Sequence, residues 1–517
     1  MNIRILNLFL ALIISFQVFS QKKEIASITE NELRAHLEFI ASDLMQGRDF
    51  DTPVPGLEIT GAYLKAQCRE MGLKPGAEGF SQTVKLIRTK ADLENSVLQL
   101  KNSKGEVVFT GNKIISFGGS SKSDTLKSDL VFGGFGYLNK SGYNDLDSID
   151  LKNKMVLMMT GSPDPNDTTQ SMEEINKREM AKIGPLMMSG VKTIILTVNP
   201  ADSGNKWFEL IKQYASGGSY KLEGDTVKDM PFNILFVDNS IADAVLKETG
   251  KTLAQIQQQI IETGKPASQV IKNVTAEIIL AKESKPIESE NIIGFVEGSD
   301  PKLKNEYVIL TAHYDHVGIT PDGQVNNGAD DNGSGTVALL EVAEAFSLMK
   351  KKPARSIVFA WVTAEEKGLF GSRYYTENPV FPLSQTIANI NLDMVGRSAP
   401  AENGPVTDVE KSLAGPDGVY FITGNKEGEI RKIGVEISKK LNLIPSDELS
   451  EDFLNGSDYY HFHKNGIPVL GISTGLHEDY HHPTDEVVKI DYHKMKRIAD
   501  LTFWVTLEIA NGKKPLK

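Results

Sequence analysis

Histidine and carboxylate residues follow several apolar, strand-like runs in the second half of the sequence. Four of these runs span residues 307–312, 356–362, 387–392 and 467–473. The polar residues after them are His313, Asp315, Glu365, Glu366, Asp393 and, beyond a loop, His481. Short apolar runs are typical of buried strands, and open α/β sheets form their sites at the carboxyl ends of such strands. Imidazole and carboxylate ligands without a thiolate suit zinc or a similar divalent ion, so the pattern predicts a hydrolytic metal site.

The His313-x-Asp315 pair ends the first run. Strand side chains alternate, so both residues are expected on one face, where Asp315 can fix the orientation of a ligating His313. His316 has the opposite parity and is not expected on that face. The same pattern also occurs at ordinary strand ends, so it carries weight only together with the other residues.

Two acidic segments lie between the runs. Asp331 is in the Gly- and Asn-rich segment 327–335, whose glycines allow a carboxylate to project sharply. Glu365 and Glu366 are adjacent acids after a wholly apolar run, and folding alone gives no reason to place them together. We expect one of them to bind metal and the other to accept a proton from the attacking water.

The last candidate ligands have competing interpretations. Asp393 is either a ligand or the cap of a following helix. His481 and His482, which follow Tyr480, compete for one ligand position, and the residues alone leave that choice open. The occurrence of the whole set, in order on successive strand ends, indicates a metal site more strongly than any single member does.

The composition bounds the size and class of the protein. The chain has 517 residues, of which 40% are hydrophobic and 24% charged, and it is too long for one ordinary core. Its net charge of −12 argues against nucleic-acid binding, because that function needs a basic surface. Cys68 is the single cysteine, so the chain forms no internal disulfide and depends on its core for stability.

The N-terminus has the pattern of a secretory signal peptide. Arg4 supplies a basic residue, residues 6–19 are almost entirely apolar, and Ser20 is a small residue at the cleavage position before Gln21. The apolar run is short for a membrane anchor. We therefore expect residues 1–20 to be cleaved and the mature protein to be periplasmic or secreted, without stable membrane insertion.

Changes of pattern divide the rest of the chain into three segments. Residues 21–119 begin with helical periodicity, residues 120–286 alternate short strands with helices, and residues 287–517 carry every candidate ligand. The middle segment contains no convergent set of His, Asp or Glu. We expect it to be an inserted domain, and we expect the ligand-bearing segment to form an α/β sheet covered by helices on both faces.

The motifs of segment 291–491 resemble the co-catalytic zinc exopeptidase family, which includes secreted bacterial leucine-type aminopeptidases and glutamate carboxypeptidase II. The residues that match the family's zinc ligands are His313, Asp331, Glu366, Asp393 and His481. The resemblance implies two zinc ions bridged by Asp331. It favours His481 over His482, because the family spacing places an aspartate four positions after the histidine, here Asp485.

The resemblance also implies the fold and the chemistry. Glu365 matches the general base, and Tyr480 matches a tyrosine that stabilises the tetrahedral intermediate in several members. A cis peptide often follows the bridging aspartate, which here is the Asp331–Asn332 bond. The implied fold is a mixed, mostly parallel sheet between helices, and the middle segment resembles the protease-associated (PA) domain that is often inserted in this family.

The expected substrate is a peptide that loses its N-terminal residue. The first alternative is a carboxypeptidase or dipeptidase of the same fold, in which Arg373 or Arg397 binds the substrate carboxylate. The second is a glutaminyl cyclase, which shares the fold and uses a single zinc, so that two-metal content argues against it. A non-catalytic binding protein is the third, and the intact ligand set with Glu365 argues against that class.

Overall fold

The computed structural model describes residues 25–118, 122–138, 142–147, 149–164, 166–167, 172–201, 217–226, 232–400, 412–512 and 516. The predicted signal peptide, residues 1–20, lies outside the described residues. Within the described part of the chain, no helix is long and apolar enough to cross a membrane.

The described residues alternate helices and strands. The α-helices are α1 (Glu30–Ile40), α2 (Gly56–Glu70), α3 (Met172–Met188), α4 (Asn239–Leu246), α5 (Leu253–Thr263), α6 (Gly335–Leu348), α7 (Phe370–Glu377), α8 (Glu429–Lys440), α9 (Tyr459–Lys464) and α10 (Tyr492–Asn511). The first nine strands are β1 (Lys74–Pro75), β2 (Ser81–Ala91), β3 (Val97–Asn102), β4 (Val107–Gly111), β5 (Ile114–Gly118), β6 (Asp124–Phe132), β7 (Met155–Met159), β8 (Thr193–Thr197) and β9 (Ser219–Leu222). The others are β10 (Asn233–Val237), β11 (Gln269–Leu280), β12 (Lys282–Val296), β13 (Tyr307–His313), β14 (Ser356–Val362), β15 (Thr386–Leu392), β16 (Gly418–Ile422), β17 (Ile444–Ser446) and β18 (Val469–Ser473).

The chain divides into two compact units. Unit 1 combines the described residues of 1–86 with those of 288–517, and unit 2 comprises those of 87–287. Unit 2 therefore begins well before the predicted boundary at residue 120. The reason is that β3, β4 and β5 pair with one another or with β10 and β11, which are strands of unit 2.

In unit 1 the strand order is β17-β16-β18-β15-β13-β14-β12-β2, with β1 beside β12. The neighbours β18, β15, β13 and β14 run parallel, whereas β12 and β16 run antiparallel to β14 and β18. The predicted α/β class with a mixed sheet is therefore confirmed. The four apolar runs that preceded the candidate ligands form the four parallel central strands.

Helices cover both faces of this sheet. On β14, Phe359 and Trp361 point to one face and Val358 and Ala360 to the other, because strand side chains alternate. Phe359 packs beside Phe346 of α6, and Trp361 donates a hydrogen bond to a backbone carbonyl of the same helix. Val358 and Ala360 belong to a cluster that includes residues of α7 and α9. A wholly apolar run is what a strand buried on both faces requires.

Unit 2 has its own sheet, in the order β4-β3-β11-β6-β7-β8-β10-β5. β6, β7, β8 and β10 are parallel, and the pairs that flank them are antiparallel. Alternate residues of β7 enter two separate apolar clusters, Met155 and Leu157 one of them and Val156 and Met158 the other. Unit 2 therefore has a layered hydrophobic core of its own.

Candidate active site

The candidate ligands lie at the carboxyl ends of neighbouring parallel strands. His313 is the last residue of β13, and Asp393 directly follows β15. The loop after β14 carries Glu365 and Glu366, and the loop after β18 carries His481. Because these four strands are adjacent and parallel, their ends meet at one edge of the sheet. Residues far apart in sequence therefore share one site.

Asp331 occupies the centre of this site. It projects from the buried turn Ala329–Ser334, immediately before α6. Its Oδ1 lies 3.4 Å from His313 Nε2, and its Oδ2 lies 3.0 Å from His481 Nε2. The two oxygens of one carboxylate therefore face two different histidines. The peptide bond between Asp331 and Asn332 is cis, as the family resemblance implied.

Two side-chain clusters form around the two oxygens of Asp331. In the first cluster, His313 Nε2 lies 3.4 Å from Asp393 Oδ1, the same distance that separates it from Asp331 Oδ1. In the second cluster, His481 Nε2 lies 3.1 Å from Glu366 Oε2. All five residues that match zinc ligands of the family are thus brought together, in two sets that share Asp331.

His316 also belongs to the second cluster, and the parity argument against it was wrong. Its ring is fully buried, with Nδ1 2.9 Å from Glu366 Oε1 and 3.6 Å from Asp331 Oδ2. Parity applies only while a strand continues, and β13 ends at His313. The rings of His316 and His481 meet edge to face, with centroids 5.7 Å apart. Two histidines therefore face the same pair of carboxylates.

The backbone is in the left-handed region at several positions around the site. Ala364, Met394 and His481 have φ values of 55°, 53° and 59°. Residues other than glycine adopt this region rarely, at a cost on the order of 1–3 kcal/mol, and they cluster at functional sites. A Cβ added at Gly328, where φ is 57°, would lie 2.3 Å from the Asp331 carbonyl oxygen. Glycine is therefore needed in the loop that delivers Asp331.

The carbonyl and the carboxylate of Asp315 have separate partners. The carbonyl oxygen lies 3.2 Å from His313 Nδ1, whereas the nearest carboxylate oxygen is 3.9 Å away. The carboxylate instead accepts hydrogen bonds from the N–H groups of Glu365 and Glu366, at 3.1 and 3.2 Å. Asp315 therefore orients His313 through its backbone and fixes the loop of the two glutamates through its side chain. Burial raises the pKa of Asp315 to about 6.

Two further polar residues hold the central carboxylates in place. Asp485 accepts hydrogen bonds from the N–H groups of Asp330 and Asp331, at 2.9 and 3.1 Å. Ser457 donates a hydrogen bond from its hydroxyl to Asp393 Oδ2, at 2.6 Å. Asp485 therefore fixes the backbone of the loop that carries Asp331, and Ser457 fixes the carboxylate of Asp393.

Arg48 is a fully buried cation behind the site that the sequence analysis did not identify. Its guanidinium donates to the carbonyl oxygens of Ile40, Tyr314, Asn327 and Gly328, at distances from 2.6 to 3.0 Å. It thereby ties α1 to the loop after His313 and to the loop that precedes Asp331. Burial lowers the pKa of Arg48 to about 10, although the carboxylates of the site oppose this shift.

The carboxylates of the site have strongly shifted pKa values. Burial acts to raise the pKa of Asp331, but the neighbouring histidines hold that pKa well below its usual value. For Glu366, burial and Asp331 act to raise the pKa, and the adjacent histidines lower it to about 2. Burial raises the pKa of Glu365 well above its ordinary value, with His313 opposing and Glu366 adding to the rise. The pKa values of the two adjacent glutamates are therefore shifted in opposite directions. The low pKa of Glu366 suits a metal ligand, which stays ionised, and the high pKa of Glu365 suits a residue that accepts and releases a proton.

A cleft opens beside the first cluster. Its polar walls include His313, Asp331, Glu365, Asp393 and Tyr480. Its apolar walls are Met394, Ile422, Leu449, Phe453, Tyr459, Ile472 and Leu476. The ring of Tyr480 stacks on His481, with centroids 3.8 Å apart. Among the described residues that line the cleft there is no lysine or arginine.

Replacing Arg48 tests its part in holding the site together. Arg48→Met leaves buried carbonyl oxygens without donors, so the free energy of unfolding should fall by about 3 kcal/mol or more. Urea unfolding measures this change, and Arg34→Met, on an exposed arginine of α1, is the matched control. Equal unfolding midpoints for the two variants would contradict the stabilising role of Arg48.

Comparison with known proteins identifies relatives for part of the chain. Residues 291–506 match the profile of Peptidase family M28. Over 236 residues the chain is 32% identical to aminopeptidase YwaD of Bacillus subtilis, covering 44% of this chain and 46% of YwaD. Over 231 residues it is 30% identical to leucine aminopeptidase 2 of Trichophyton equinum, covering 44% and 40%. The chain thus spans less than half the length of these curated relatives.

Solved structures with a similar fold cover nearly the whole chain. An aminopeptidase from Aneurinibacillus sp. strain AM-1 has a TM-score of 0.54 at 18% identity, covering 96% of this chain and 98% of its own. The zinc aminopeptidase BSAP from Bacillus subtilis has a TM-score of 0.51 at 18% identity, covering 93% and 95%. At such identity the likeness concerns the fold alone. The similarity to Peptidase family M28 thus lies in the ligand-bearing segment, residues 291–506.

Proposed function

We propose that the protein is a zinc-dependent aminopeptidase that hydrolyses the N-terminal peptide bond of its substrates. The observation that carries the proposal is the shared carboxylate of Asp331, whose two oxygens face two separate clusters of histidine and carboxylate. A shared carboxylate of this kind is the arrangement that a two-metal hydrolytic site requires. The relatives named as aminopeptidases support the same reaction class.

The residues present fit two zinc ions. Zinc bonds to nitrogen and oxygen are about 2.1 Å long, so the ligand atoms of a tetrahedral site lie about 3.4 Å apart. The distances from His313 Nε2 to Asp331 and Asp393 are both 3.4 Å. In the second cluster, Asp331 Oδ2 and His481 Nε2 are buried atoms without a hydrogen-bond partner. Buried polar atoms in native proteins nearly always have a partner, and a metal ion would supply one here.

We assign His313 and Asp393 to one zinc, Glu366 and His481 to the other, and Asp331 to both. When bound, two zinc ions polarise the scissile carbonyl and make a water nucleophilic near neutral pH. The histidine nitrogens point at the shared carboxylate, and the contacts of Asp315 and Ser457 keep the ligand loops in position.

Glu365 is the proton carrier in this proposal. It lines the cleft, and its carboxylate oxygen Oε2 lies 3.9 Å from His313 Nε2. In the reaction it takes a proton from the attacking water and passes it to the leaving amine. Tyr480, which also lines the cleft, donates a hydrogen bond to the oxyanion that develops on the carbonyl oxygen.

The charge of the cleft favours a free N-terminus over a C-terminal carboxylate. Of the three carboxylates in its polar walls, Glu365 is the one not assigned to a zinc ion, and it can accept a hydrogen bond from the substrate's α-amine. A carboxypeptidase needs a cationic clamp instead, usually arginine. Arg397 is paired with Asp479 at 2.9 Å, and Arg373 is paired with Glu377 at 2.9 Å. Neither arginine lines the cleft, so the described residues that line it supply no cationic clamp for a carboxypeptidase.

The apolar walls of the cleft indicate which N-terminal residues are accepted. Leu449 and Phe453 reach it from the segment before α9, and Ile422 and Ile472 from β16 and β18. Burial of an aliphatic or aromatic side chain against such walls contributes about 1.5–3 kcal/mol to binding. We therefore propose that large apolar N-terminal residues are preferred to small or charged ones.

The same proposal covers unit 2 and the N-terminal segment. Unit 2 is proposed to be a PA-like inserted domain that supplies no metal ligand, and the clusters able to hold a metal among the described residues all lie in unit 1. Export is proposed from the apolar run at residues 6–19.

The first test separates the two adjacent glutamates. Glu365→Gln should lower kcat by about 100-fold or more while both zinc ions stay bound, because only the proton carrier is lost. Glu366→Gln should instead lose one zinc ion per chain. Zinc content by mass spectrometry and kcat on a leucyl substrate measure both effects. Zinc loss in Glu365→Gln with full occupancy in Glu366→Gln would reverse the roles.

The second test decides which histidine completes the second cluster. His481→Ala should lose one zinc ion and nearly all activity, because His481 Nε2 is within 3.1 Å of both carboxylates. His482→Ala, on the exposed neighbour, is the control and should match the parent protein. A variant His316→Ala that loses zinc, alongside His481→Ala that keeps it, would transfer the ligand position to His316.

The third test concerns which end of the substrate is recognised. Leucyl and phenylalanyl peptides with a free N-terminus should be cleaved, with kcat/KM about 10-fold or more above their alanyl counterparts. N-acetylation should abolish cleavage, and C-terminal amidation should leave it unchanged. Mass spectrometry of the products checks each case. Cleavage of N-acetylated peptides that stops on amidation would establish the carboxypeptidase alternative instead.

A further inference from the structure

A chain of hydrogen-bonded side chains runs through the interior of the unit 1 sheet and ends on Asp393. Asn389 Nδ2 lies 3.0 Å from Thr311 Oγ1, and Thr311 Oγ1 lies 2.7 Å from Asn391 Oδ1. Asn391 Nδ2 lies 2.9 Å from Ser457 Oγ, whose hydroxyl donates to Asp393 Oδ2. Thr311 and the two asparagines are fully buried. Four contacts thus connect the middle of the sheet with a carboxylate of the candidate site.

The strand register explains how these residues meet. β13 and β15 are parallel neighbours, and Thr311 is paired with Asn391. Because side chains alternate along a strand, Asn389 and Asn391 lie on one face of β15, with Thr311 beside them on β13. The other residues of the two strands are mostly apolar. The polar residues therefore form a line within an otherwise apolar layer.

The hydrogen bonds of this chain run in one direction. An ionised carboxylate accepts and does not donate, so Ser457 gives its single hydroxyl proton to Asp393 and accepts from Asn391. Asn391 therefore presents its NH₂ group to Ser457 and its oxygen to Thr311. Thr311 in turn donates its only hydroxyl proton to Asn391, so it can only accept from Asn389.

The far end of the chain gives the same direction independently. The side-chain nitrogen of Asn389 that faces Thr311 also lies 3.2 Å from the carbonyl oxygen of Ile309. A carbonyl oxygen only accepts, so this end of the Asn389 amide must be its NH₂ group. Hydrogen bonds aligned in one direction polarise one another, which strengthens the last donor, the hydroxyl of Ser457.

The stability of the sheet does not account for the chain. Burying polar side chains costs free energy, and replacing a hydrogen-bonded pair by apolar groups of the same shape is often neutral or stabilising. Asn389 Oδ1 is in addition a buried oxygen without a hydrogen-bond partner among the described residues. The chain therefore calls for a reason other than packing, and its end on Asp393 supplies one.

We propose that Thr311 and Asn391 are positioning residues for the metal site, because they fix the direction in which Ser457 donates. Ser457 then holds Asp393 Oδ2, so that Asp393 Oδ1, 3.4 Å from His313 Nε2, is the atom that binds the ion. When the chain is broken, the Ser457 hydroxyl can turn toward Asn391 and release Asp393. The inference rests on the proposed function, since it takes Asp393 as a zinc ligand.

The test measures both zinc dissociation constants of the full-length protein by competition with a chromophoric chelator. Thr311→Val keeps the shape of the side chain without the hydroxyl, and it should raise one constant about 10-fold and leave the other unchanged. Thr311→Ser retains the hydroxyl and should restore the parent value. Asn391→Ala, which removes the donor to Ser457, should act as Thr311→Val does. Thr502→Val is the control, because its buried hydroxyl donates within α10 to Ile498.

Three results would overturn the inference, each with folding of the metal-free variants checked by circular dichroism. The first is zinc binding by Thr311→Val and Asn391→Ala that equals that of the parent and of Thr502→Val. The second is an equal rise in both constants, and the third is no recovery in Thr311→Ser, since each would reflect a general loss of packing. A parent protein that binds no zinc would refute the proposed function together with this inference, so the two failures are distinguishable.

Discussion

The concentration of buried negative charge around Asp331 is the constraint on which the rest of unit 1 depends. Asp315, Asp331, Glu366 and Asp485 are nearly or fully withdrawn from water, and an isolated buried carboxylate is very unfavourable. Nearby cations offset part of this cost. The histidines of both clusters lower the pKa of Asp331, and Arg48 lies fully buried behind the loops. Metal ions bound to the two clusters would offset much of what remains.

The fold meets this constraint by bringing loops, rather than single elements, to one edge of the sheet. The parallel strands end at this edge, and the loops that follow them carry the ligands into the site. Hydrogen bonds from Arg48 to four carbonyls, and from backbone N–H groups to Asp485, then fix the loops. Left-handed residues such as Ala364 and Met394 show that local backbone preference yields to the geometry of the site.

Much of this site was predictable from the sequence, because its ligands follow strongly apolar runs that form the central parallel strands. His316 was not, because side-chain parity fails once β13 has ended. Arg48 was not, because a single arginine in a turn carries no periodic signal and its partners lie near residues 314 and 327. The start of unit 2 was misplaced because strand patterns do not reveal which sheet a strand joins. The walls of the cleft come from several separate segments, which no local pattern connects.

The most direct test of the account is a crystal structure of the zinc-loaded protein with anomalous data collected at the zinc edge. The account predicts two anomalous peaks in the site, about 3.5–4 Å apart as in other two-metal centres, with one oxygen of Asp331 directed at each. His313 and Asp393 should coordinate one ion, and Glu366 and His481 the other. A single peak, or two peaks that Asp331 does not bridge, would contradict the account.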